Sequence, residues 1–342
     1  MRELTFVGPG SVEWRDVPAP VIDGPNQALV RPIAVATCDL DVLLLRGKAS
    51  MFGNNFAFGH ECVAQVVEVS KGAGPFRPGD IVVPSFQITC GTCGRCRRAL
   101  TGNCEAVRGT AMYGIGTLGG NYGGALSDLM KIPYASAMLV ALPNNLAPAD
   151  VASIGDNVAD AWRTVAPALR GNPEARVLIV GGGSIGLYAT QIALALGAST
   201  VDYVDSQPAR LNLAEELGAH VYGSFPPKGI GRFPITVATT GELEGLTFAI
   251  RSTEPGGVCT SVGIHSGNAT PMPLFDMYIT GMTFVTGRGH ARTVLPELLE
   301  LASTGRITPE KITNKVVPWD DAVDALSDPP DKLVLAREQI ET

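Results

Sequence analysis

Four cysteines stand close together between residues 90 and 104, with the spacing C-x2-C-x2-C-x7-C. Four thiolates so close in the chain, with glycines between them, can surround one tetrahedral Zn²⁺. Four sulfur ligands leave no open position, so this pattern predicts a structural metal. The alternatives are an iron–sulfur cluster and a basic zinc ribbon that binds nucleic acid, although basic residues in an acidic chain are also typical of a solvated surface. The predicted ligands are Cys90, Cys93, Cys96 and Cys104, and the basic residues are Arg95, Arg97 and Arg98.

A second set of side chains that could bind a metal is spread along the chain. Cys38 and the pair His60-Glu61 fall among strand-like segments, where loops and strand ends can bring ligands together. Taken alone, a histidine such as His60 is more often a hydrogen-bonded structural residue than a metal ligand. Asp156 lies inside an apolar helical run that begins near Pro148, and a carboxylate buried there needs a partner. If the Asp156 carboxylate faces solvent instead, it needs no such partner.

A glycine-rich stretch follows a short, fully apolar strand, Val177–Val180. Gly181, Gly183 and Gly186 have the G-x-G-x-x-G spacing, and helical apolar periodicity then runs to Gly197. A second strand, Val201–Val204, ends in an acid, Asp205, nineteen positions after Gly186.

Each part of this stretch has a chemical reason to bind a dinucleotide. The glycines allow a tight turn, a close approach of backbone to pyrophosphate and close packing of helix on strand. The helix N-terminus offers N–H groups and a positive dipole to the phosphates. The carboxylate of Asp205 can bind a ribose diol and would repel a 2′-phosphate, so it favours NAD over NADP.

The surrounding elements divide into a β-rich beginning and an alternating α/β region. Prolines and glycines break residues 1 to about 35 into short strands, and further strands are expected up to about residue 142. From residue 177 onward strands and helices alternate, which predicts a doubly wound parallel sheet. After it the sequence predicts these elements: a helix at Val294–Ser303, a strand at Lys315–Val317, a helix at Pro318–Leu326 and a strand at Leu333–Ala336.

The totals exclude several classes of protein. The 342 residues suffice for two domains, and 45% hydrophobic with 17% charged residues is normal for a globular chain. A formal net charge of −7 disfavours nucleic acid or an anionic membrane as the main partner. No apolar run and no N-terminal signal pattern points to a membrane or to export, so a cytoplasmic protein is expected.

Taken together, these motifs resemble the zinc-containing medium-chain dehydrogenase/reductases, the alcohol dehydrogenase family, over essentially the whole chain. The resemblance implies an α/β architecture in which a GroES-like β-rich catalytic domain is interrupted by a Rossmann domain. We therefore expect a catalytic domain at 1–148 and 292–342, with the cysteine lobe at 90–104, and an NAD-binding domain at 149–291. It also implies a homodimer or homotetramer.

Residue by residue, the resemblance implies a catalytic zinc held by Cys38, His60 and Asp156. Glu61 matches an acid near the metal, and Asp41 matches the acid that orients the His60 imidazole. Lys332 resembles a basic residue that reaches the cofactor phosphates. Two zinc ions per chain are then expected, one catalytic and one structural. The full set of expected cofactor-binding residues is Gly181, Gly183, Ser184, Ile185, Gly186, Asp205, Arg210, Gly263 and Lys332.

The implied reaction is hydride transfer between a primary or secondary alcohol and NAD, with zinc favouring the alkoxide. A polyol or sugar dehydrogenase and a catalytically weak NAD(H)-binding sensor are the alternatives. Three positions depart from the family pattern. Leu40 stands where Ser or Thr passes on the alcohol proton, Asp39 follows the first ligand, and Asp160 stands where Thr is common near the nicotinamide. We expect water or another polar group to carry the proton, and His265 is a further candidate near the nicotinamide.

Overall fold

The computed structural model describes residues 1–226, 229–265 and 269–340 and divides the chain into two compact units. The first unit comprises Met1–Ala159 and His290–Thr342, and the second comprises Asp160–Gly289. The sequence analysis assigned residues 149–159 to the Rossmann segment. In the structure these residues have their contacts in the first unit. The reason is local: the 3₁₀ segment Pro148–Gly155 packs on the central strands of the first unit's sheet.

The first unit is built on mainly antiparallel sheets, with one parallel pair, Lys315–Pro318 beside Leu333–Ala336. A three-stranded sheet has the order Ser11–Asp16, Arg2–Gly8, Phe56–Ala57 in the part of the chain that the structure describes. A larger sheet centres on Ala28–Ala36 paired with Glu61–Val69. Its path, within the same described residues, is Lys315–Pro318, Leu333–Ala336, Ala28–Ala36, Glu61–Val69, Ile81–Pro84 and Leu139–Ala141, with Met130–Ile132 paired to Ala28–Ala36. The C-terminal strand Leu333–Ala336 thus lies directly beside the strand that leads to Cys38.

Short helices connect these strands. Buried aliphatic and aromatic side chains from both sheets, among them Leu4, Phe58 and Leu335, form one core, which supplies most of the unit's hydrophobic stabilisation. The helices of this unit are Asp39–Leu45, Gly94–Arg97, Gly116–Gly119, Ala135–Met138, Ala291–Ser303 and Ala322–Ser327, with 3₁₀ segments at Ser50–Phe52, Thr101–Asn103, Pro148–Gly155, Pro309–Ile312 and Trp319–Asp321.

The second unit is a parallel sheet flanked by helices. Among the described residues the sheet has six strands in the order His220–Tyr222, Val201–Val204, Val177–Val180, Phe233–Ala238, Thr253–Ser261, Thr283–Val285. All neighbouring strands are parallel, and the chain order reverses on the two sides of Val177–Val180, as in a doubly wound sheet. The helices are Gly183–Ala195, Pro208–Glu216, Leu243–Arg251 and Leu274–Thr280, and Asn157–Gly171 leads into this unit from the first.

The predicted α/β class is confirmed, with one β-rich unit and one unit built on a doubly wound parallel sheet. The strands Val177–Val180 and Val201–Val204 have the predicted bounds. The first is a fully apolar run rich in β-branched residues, which has few alternatives to a buried strand. The sequence did not predict the edge strand His220–Tyr222, which is short and partly exposed.

The single helix expected from about Pro148 is in fact two segments. A 3₁₀ segment ends at Gly155 and an α-helix begins at Asn157. Asp156 lies at the junction with φ −137° and ψ −75°, outside helical geometry. The break frees this carboxylate to turn inward. No helix in the described residues has the length and apolar content that crossing a membrane requires.

Candidate functional site

Cys38 occupies the N-cap of the helix Asp39–Leu45, and this fixes the position of its sulfur. Its Sγ accepts the backbone N–H of Leu40 at 3.4 Å, and its own N–H donates to Asp41 Oδ2 at 2.9 Å. The two residues form a capping box in which sulfur replaces the usual hydroxyl. The thiol side chain is buried, so the helix start holds a single sulfur atom at a defined point.

His60 precedes the strand Glu61–Val69, and its ring is buried between two carboxylates. Nε2 lies 3.2 Å from Asp156 Oδ2, and Nδ1 lies 3.6 Å from Asp41 Oδ1. The second distance is longer than a hydrogen bond, and neither Nδ1 nor Asp41 Oδ1 has a hydrogen-bond partner among the described atoms. Asp41 therefore faces the imidazole from the side away from Asp156, the place expected for a residue that orients it.

The ligand atoms of Cys38, His60 and Asp156 all lie within 4.8 Å of one another. Nitrogen and oxygen ligands of a tetrahedral zinc are separated by about 3.4 Å when each is about 2.0–2.1 Å from the metal. The 3.2 Å between His60 Nε2 and Asp156 Oδ2 fits that separation. Three protein ligands of this kind leave one open position on the metal, as catalytic zinc sites require.

The charges around this centre also fit a divalent cation. Four groups that can carry negative charge are buried close together, and the lysine beside them supplies one positive charge. Burial and the neighbouring Asp156 carboxylate raise the pKa of the Cys38 thiol well above its usual range. An excess of anionic groups with one open coordination position is the donor set of a metal centre. The four groups are Cys38, Asp41, Glu61 and Asp156.

The carboxylates on both sides of His60 change its titration. Burial lowers the pKa of His60, but the carboxylates of Asp41 and Asp156 outweigh burial and raise it to about 9. Burial is the largest influence on the pKa of Asp156 and raises it, but the hydrogen bond and charge of His60, together with Cys38 and Lys332, outweigh burial and lower the net pKa. Asp156 is thus held as a carboxylate, the form that binds metal.

The structure corrects the expectation for Lys332. Its Nζ is fully buried and donates to Glu61 Oε1 at 2.6 Å, Thr37 O at 2.6 Å and Asn157 Oδ1 at 2.7 Å. An ammonium has three donors, and these three contacts use all of them, so the structure places the side chain beside the candidate metal centre. Glu61, also fully buried, gains a positive partner; its burial nevertheless raises its pKa to about 8.

Asn157 is a site residue that the sequence analysis missed. Its backbone N–H donates to Glu61 Oε2 at 3.0 Å, and its side-chain Nδ2 donates to Cys38 Sγ at 3.2 Å. The available signal was its position directly after Asp156, at the start of an α-helix. An amide beside a metal ligand is chemically neutral, so nothing in its residue type drew attention to it.

The four cysteines of the lobe converge as predicted, with ligand atoms all within 4.8 Å of one another. The Sγ–Sγ distances of Cys90 to Cys96 and of Cys93 to Cys104 are 4.0 Å, too long for a disulfide. Zinc–sulfur bonds of about 2.3 Å place tetrahedral sulfurs about 3.8 Å apart, so the separation fits a bound zinc.

Backbone N–H groups hold the lobe sulfurs. Cys90 Sγ accepts from the N–H of Thr92 and of Cys93, and Cys93 Sγ accepts from the N–H of Cys96 and of Glu105, each at 3.4 Å. The N–H groups from Cys96 and Glu105 lower the pKa of Cys93 to about 6. The local backbone therefore favours the thiolate form of Cys93, whereas burial raises the pKa of Cys96 and of Cys104.

Two of the three basic residues, Arg95 and Arg98, make contacts within the lobe. Arg95 pairs with Glu105 at 3.4 Å and donates to Asn103 O at 3.3 Å, and Arg98 Nε donates to Gly94 O at 3.3 Å. These contacts agree with a solvated, self-contained surface.

The glycine fingerprint turns out of the strand Val177–Val180 into the helix Gly183–Ala195. Gly182 has φ +84°, and a Cβ there would lie 2.7 Å from Thr239 O. A Cβ on Gly186 would lie 3.2 Å from Tyr203 Cε2. Gly181, Gly183, Ser184 and Ile185 occupy the turn and the first helical residues. This crowding needs glycine, and the helix N-terminus at the switch point of the sheet is suited to a pyrophosphate.

Asp205 follows the strand Val201–Val204 and accepts several hydrogen bonds. Arg210 donates to it through Nε at 2.7 Å and Nη2 at 3.0 Å, and the N–H groups of Gln207 and Gly182 donate at 2.8 Å and 3.2 Å. Burial raises the pKa of Asp205, but these donors, Arg210 first, outweigh burial and lower it. The structure thus places Arg210 as the ionic partner of Asp205, which is held as a carboxylate at the strand tip.

Gly263 and His265 lie on the loop after the strand Thr253–Ser261. A Cβ on Gly263 would lie 2.8 Å from Thr240 O and 2.9 Å from His265 Nε2. That nitrogen is buried without a hydrogen-bond partner among the described atoms. Both residues are at the carboxyl-end edge of the parallel sheet, the same edge as the glycine fingerprint, where ligands of such sheets bind.

Two of the unusual positions have clear local roles. Asp160 forms a two-pronged ion pair with Arg163, one helical turn later in Asn157–Gly171, with Nη2 to Oδ2 at 3.4 Å. Its charge is therefore balanced inside its own helix. The side chain of Leu40 packs on the hydrophobic core, so this residue contributes its backbone N–H to Cys38 and no hydroxyl.

A crevice of about 1000 Å³ in the first unit lies apart from these groups. Its walls include Glu3, Phe56, Tyr122 and Lys131, and none of the residues that line it is a metal ligand. The crevice is large, but its lining gives no reason to assign it to either cysteine-containing centre.

Comparison with known proteins gives matches over both units. A model of the alcohol dehydrogenase GroES-like domain matches residues 24–144, and a model of the zinc-binding dehydrogenase domain matches residues 184–304. A probable zinc-binding alcohol dehydrogenase of Mycobacterium tuberculosis is 29% identical over 330 residues, 94% of this chain and 83% of that protein. Zinc-type alcohol dehydrogenase B of Aspergillus flavus is 28% identical, over 95% of this chain and 77% of its own length.

A solved structure is similar over the full length. Alcohol dehydrogenase TADH from Thermus sp. ATN1 superimposes with a TM-score of 0.89 and is 30% identical, covering 98% of this chain and 99% of its own. The match spans both units and therefore includes the segments that carry the metal ligands and the fingerprint.

Proposed function

Because the chain belongs to the zinc-containing medium-chain dehydrogenase/reductase family, we propose that it is a zinc-dependent alcohol dehydrogenase that uses NAD. It would transfer a hydride between a primary or secondary alcohol and the nicotinamide, giving an aldehyde or a ketone. The substrate is a small molecule, as for the dehydrogenases to which the chain is similar.

One observation carries this proposal: the convergence of Cys38, His60 and Asp156. They come from three distant parts of the sequence, yet their ligand atoms lie within 4.8 Å of one another and are buried. A purely structural ion pair would account for His60 and Asp156 but gives no reason for a thiol at the same point. The set supports an open-site zinc.

When bound, the zinc would supply Lewis-acid polarisation of the substrate oxygen, and the nicotinamide would accept or donate the hydride. The protein's part is orientation. Cys38 is fixed by its helix cap, and the His60 ring lies between the carboxylates of Asp41 and Asp156. The buried ion pair of Glu61 and Lys332 packs behind the ligands and supports their positions. The low exposure of these groups excludes water from the ligand side of the centre.

The alcohol proton must leave by a route other than the side chain of residue 40. Leu40 carries no hydroxyl, and its packing on the core favours a route through ordered water. We propose that the proton passes to solvent by water.

NAD is the proposed cofactor because Asp205 is an ionised carboxylate at the tip of the second strand. A 2′-phosphate there would face a negative charge, whereas a ribose diol could donate hydrogen bonds to it. Arg210 is turned toward Asp205 by two hydrogen bonds and in this arrangement supports the acid. Replacing Asp205 with alanine should leave Arg210 available and raise kcat/KM with NADP relative to NAD.

We also propose that the chain forms a homodimer or homotetramer. The helix Leu274–Thr280 exposes a cluster of large apolar side chains, including Phe275 at 75% and Tyr278 at 81% exposure. It is followed by Thr283–Val285, which lies at the edge of the described sheet. Exposed apolar patches and open sheet edges are typical of interaction surfaces. Sedimentation of the purified protein and of its Tyr278→Asp variant checks this, since the variant should shift toward monomer.

The experiment that tests the proposed function is a steady-state screen with zinc counted on the same sample. Primary and secondary alcohols, polyols such as sorbitol, and the matching carbonyl compounds are each tested with NAD(H) and NADP(H). Turnover with NAD and two zinc ions per chain support the proposal. Tight NADH binding with no hydride transfer on any substrate and one zinc ion per chain would contradict it.

A further inference from the structure

The side chain of Asn157 lies between the first metal ligand and a buried ammonium. Its Nδ2 is 3.2 Å from Cys38 Sγ, and its Oδ1 is 2.7 Å from Lys332 Nζ. The residue is 1% exposed, and its backbone N–H is bound to Glu61 Oε2. The amide is therefore enclosed by a sulfur on one side and a cation on the other.

The ammonium dictates which way the amide points. Lys332 can donate hydrogen bonds and cannot accept one, so the atom of Asn157 that faces it must be the oxygen. The NH₂ group must then face Cys38. The reverse orientation would place two donors against each other at Lys332 and an acceptor against the thiolate at Cys38.

Lys332 is itself held firmly. Its backbone N–H donates to Asn314 Oδ1 at 2.7 Å, and the N–H of Asn314 donates to Lys332 O at 2.9 Å. Next to it, Leu333 N–H donates to Thr37 Oγ1 at 3.0 Å, and Thr37 N–H donates to Leu333 O at 2.8 Å. These bonds tie the lysine to the residue directly before the first metal ligand, so the C-terminal segment sets the direction of the amide.

We propose that Asn157 is a positioning residue that donates a hydrogen bond to the Cys38 thiolate, and that Lys332 acts through it by fixing the orientation of the amide. The bond holds the sulfur toward the metal and stabilises its negative charge. In the cysteine lobe backbone N–H groups do this for the sulfurs; at Cys38 a side chain adds to the N–H of Leu40. This inference rests on the proposed catalytic zinc and adds a residue to its support.

The test uses Asn157→Asp in the full chain, with Co²⁺ added after the catalytic metal has been removed and zinc retained in the lobe. The variant keeps the size of the side chain and an oxygen for Lys332, but it turns an acceptor instead of a donor toward sulfur. Co²⁺ affinity should fall by about 10- to 100-fold, the usual effect of removing a partner behind a metal ligand. The thiolate-to-cobalt charge-transfer absorption should move to longer wavelength, because the sulfur electrons lose a stabilising donor.

A matched control is Asn145→Asp, in the same unit. Asn145 donates from Nδ2 to Ser303 O at 2.8 Å on the surface, so the same change of chemistry should leave affinity and absorption as in the wild type. If Asn157→Asp yields no folded protein, Asn157→Ser replaces it with the same expectations.

A second variant tests the role of the lysine. Glu61→Gln combined with Lys332→Met removes both buried charges together, so neither is left unpaired. The amide then loses the group that orients it. Adding Asn157→Asp to this pair should lower Co²⁺ affinity by a smaller factor than in the wild type, because residues in one network are coupled.

The possible outcomes separate the two proposals. Unchanged affinity and absorption in Asn157→Asp overturn the role of Asn157, as does an equal effect of that substitution with and without Lys332. A loss of thermal stability with an unchanged charge-transfer absorption would also overturn it and assign a packing role. Wild-type protein that binds no Co²⁺ beyond the lobe would instead overturn the proposed catalytic centre.

Discussion

The two candidate metal centres of the first unit hold their sulfur atoms in different ways. The lobe takes four cysteines from one short segment, and backbone N–H groups of that segment donate to Cys90, Cys93 and Cys104. The other centre takes one thiolate, one imidazole and one carboxylate from distant segments. Behind them lies a fully buried ion pair, Glu61–Lys332, joined to the sulfur through the amide of Asn157.

This contrast separates local from long-range organisation. A local site can form with few requirements on the rest of the fold, and with four ligands it is closed to substrate. An assembled site needs the complete sheet, including the C-terminal strand Leu333–Ala336, but it can leave a position open. The assembled site buries more charged groups than the lobe, and removing those groups from water opposes folding.

The largest expected effect comes from removing a ligand of the assembled centre. His60→Ala should lower kcat/KM by at least about 10²–10³-fold, the scale of losing a main electrostatic group in an active site. Because the lobe is local, its zinc should remain. The measurement is steady-state turnover together with metal content, which should fall from two zinc ions per chain to one. Loss of both metals would show that the two centres are not independent.

The next effect concerns the buried ion pair. Glu61→Gln leaves the ammonium of Lys332 buried without its anionic partner. The free energy of unfolding should fall by about 3–5 kcal/mol, as for other broken buried pairs. Urea unfolding followed by circular dichroism measures this. A decrease below about 1 kcal/mol would place the pair in the same class as an exposed one.

Loss of the lobe metal should affect stability more than chemistry. Cys104→Ala removes a buried lobe ligand and should lower the free energy of unfolding by about 3–4 kcal/mol when free zinc is 100–1,000 times its dissociation constant. Turnover per correctly folded molecule, measured well below the melting temperature, should stay close to that of the wild type. Turnover as low as in His60→Ala would contradict a purely structural role.

The smallest effect is expected at the surface of the lobe. Glu105→Gln removes the 3.4 Å ion pair with Arg95, in which both side chains are about half exposed. Such pairs contribute about 0–1 kcal/mol, so unfolding by urea should change little. Glu105→Gln and Glu61→Gln are the same chemical change at an exposed and a buried position. Comparing them therefore shows how burial alters the contribution of a paired carboxylate to the free energy of unfolding. Equal effects at the two positions would remove that distinction.

The sequence predicted what is local and missed what depends on tertiary contacts. The lobe and the strand–glycine–helix stretch were predictable because spacing within one segment determines their geometry. Cys38, His60 and Asp156 were expected on the strength of a family resemblance, since the residues alone favoured a structural role for His60 over metal binding. Family membership and architecture are confirmed by the matches over both units.

Lys332 and Asn157 show where sequence reasoning reached its limit. A lysine in a C-terminal segment carries no sign of whether its charge meets a phosphate or a buried carboxylate. The pairing of Leu333–Ala336 with Ala28–Ala36 decides this by bringing Lys332 beside Thr37. The break at Asp156 was hidden for a similar reason, since apolar periodicity continues through it while the backbone does not.

The most direct test of the central claim is turnover measured during gradual removal of zinc by a chelator. The lobe, with four thiolates, should release its metal last. If the centre formed by Cys38, His60 and Asp156 performs the chemistry, NAD-dependent activity should disappear with loss of the first zinc ion while the second is still bound. Activity that persists after the first zinc has left, or that survives in metal-free protein, would contradict the account.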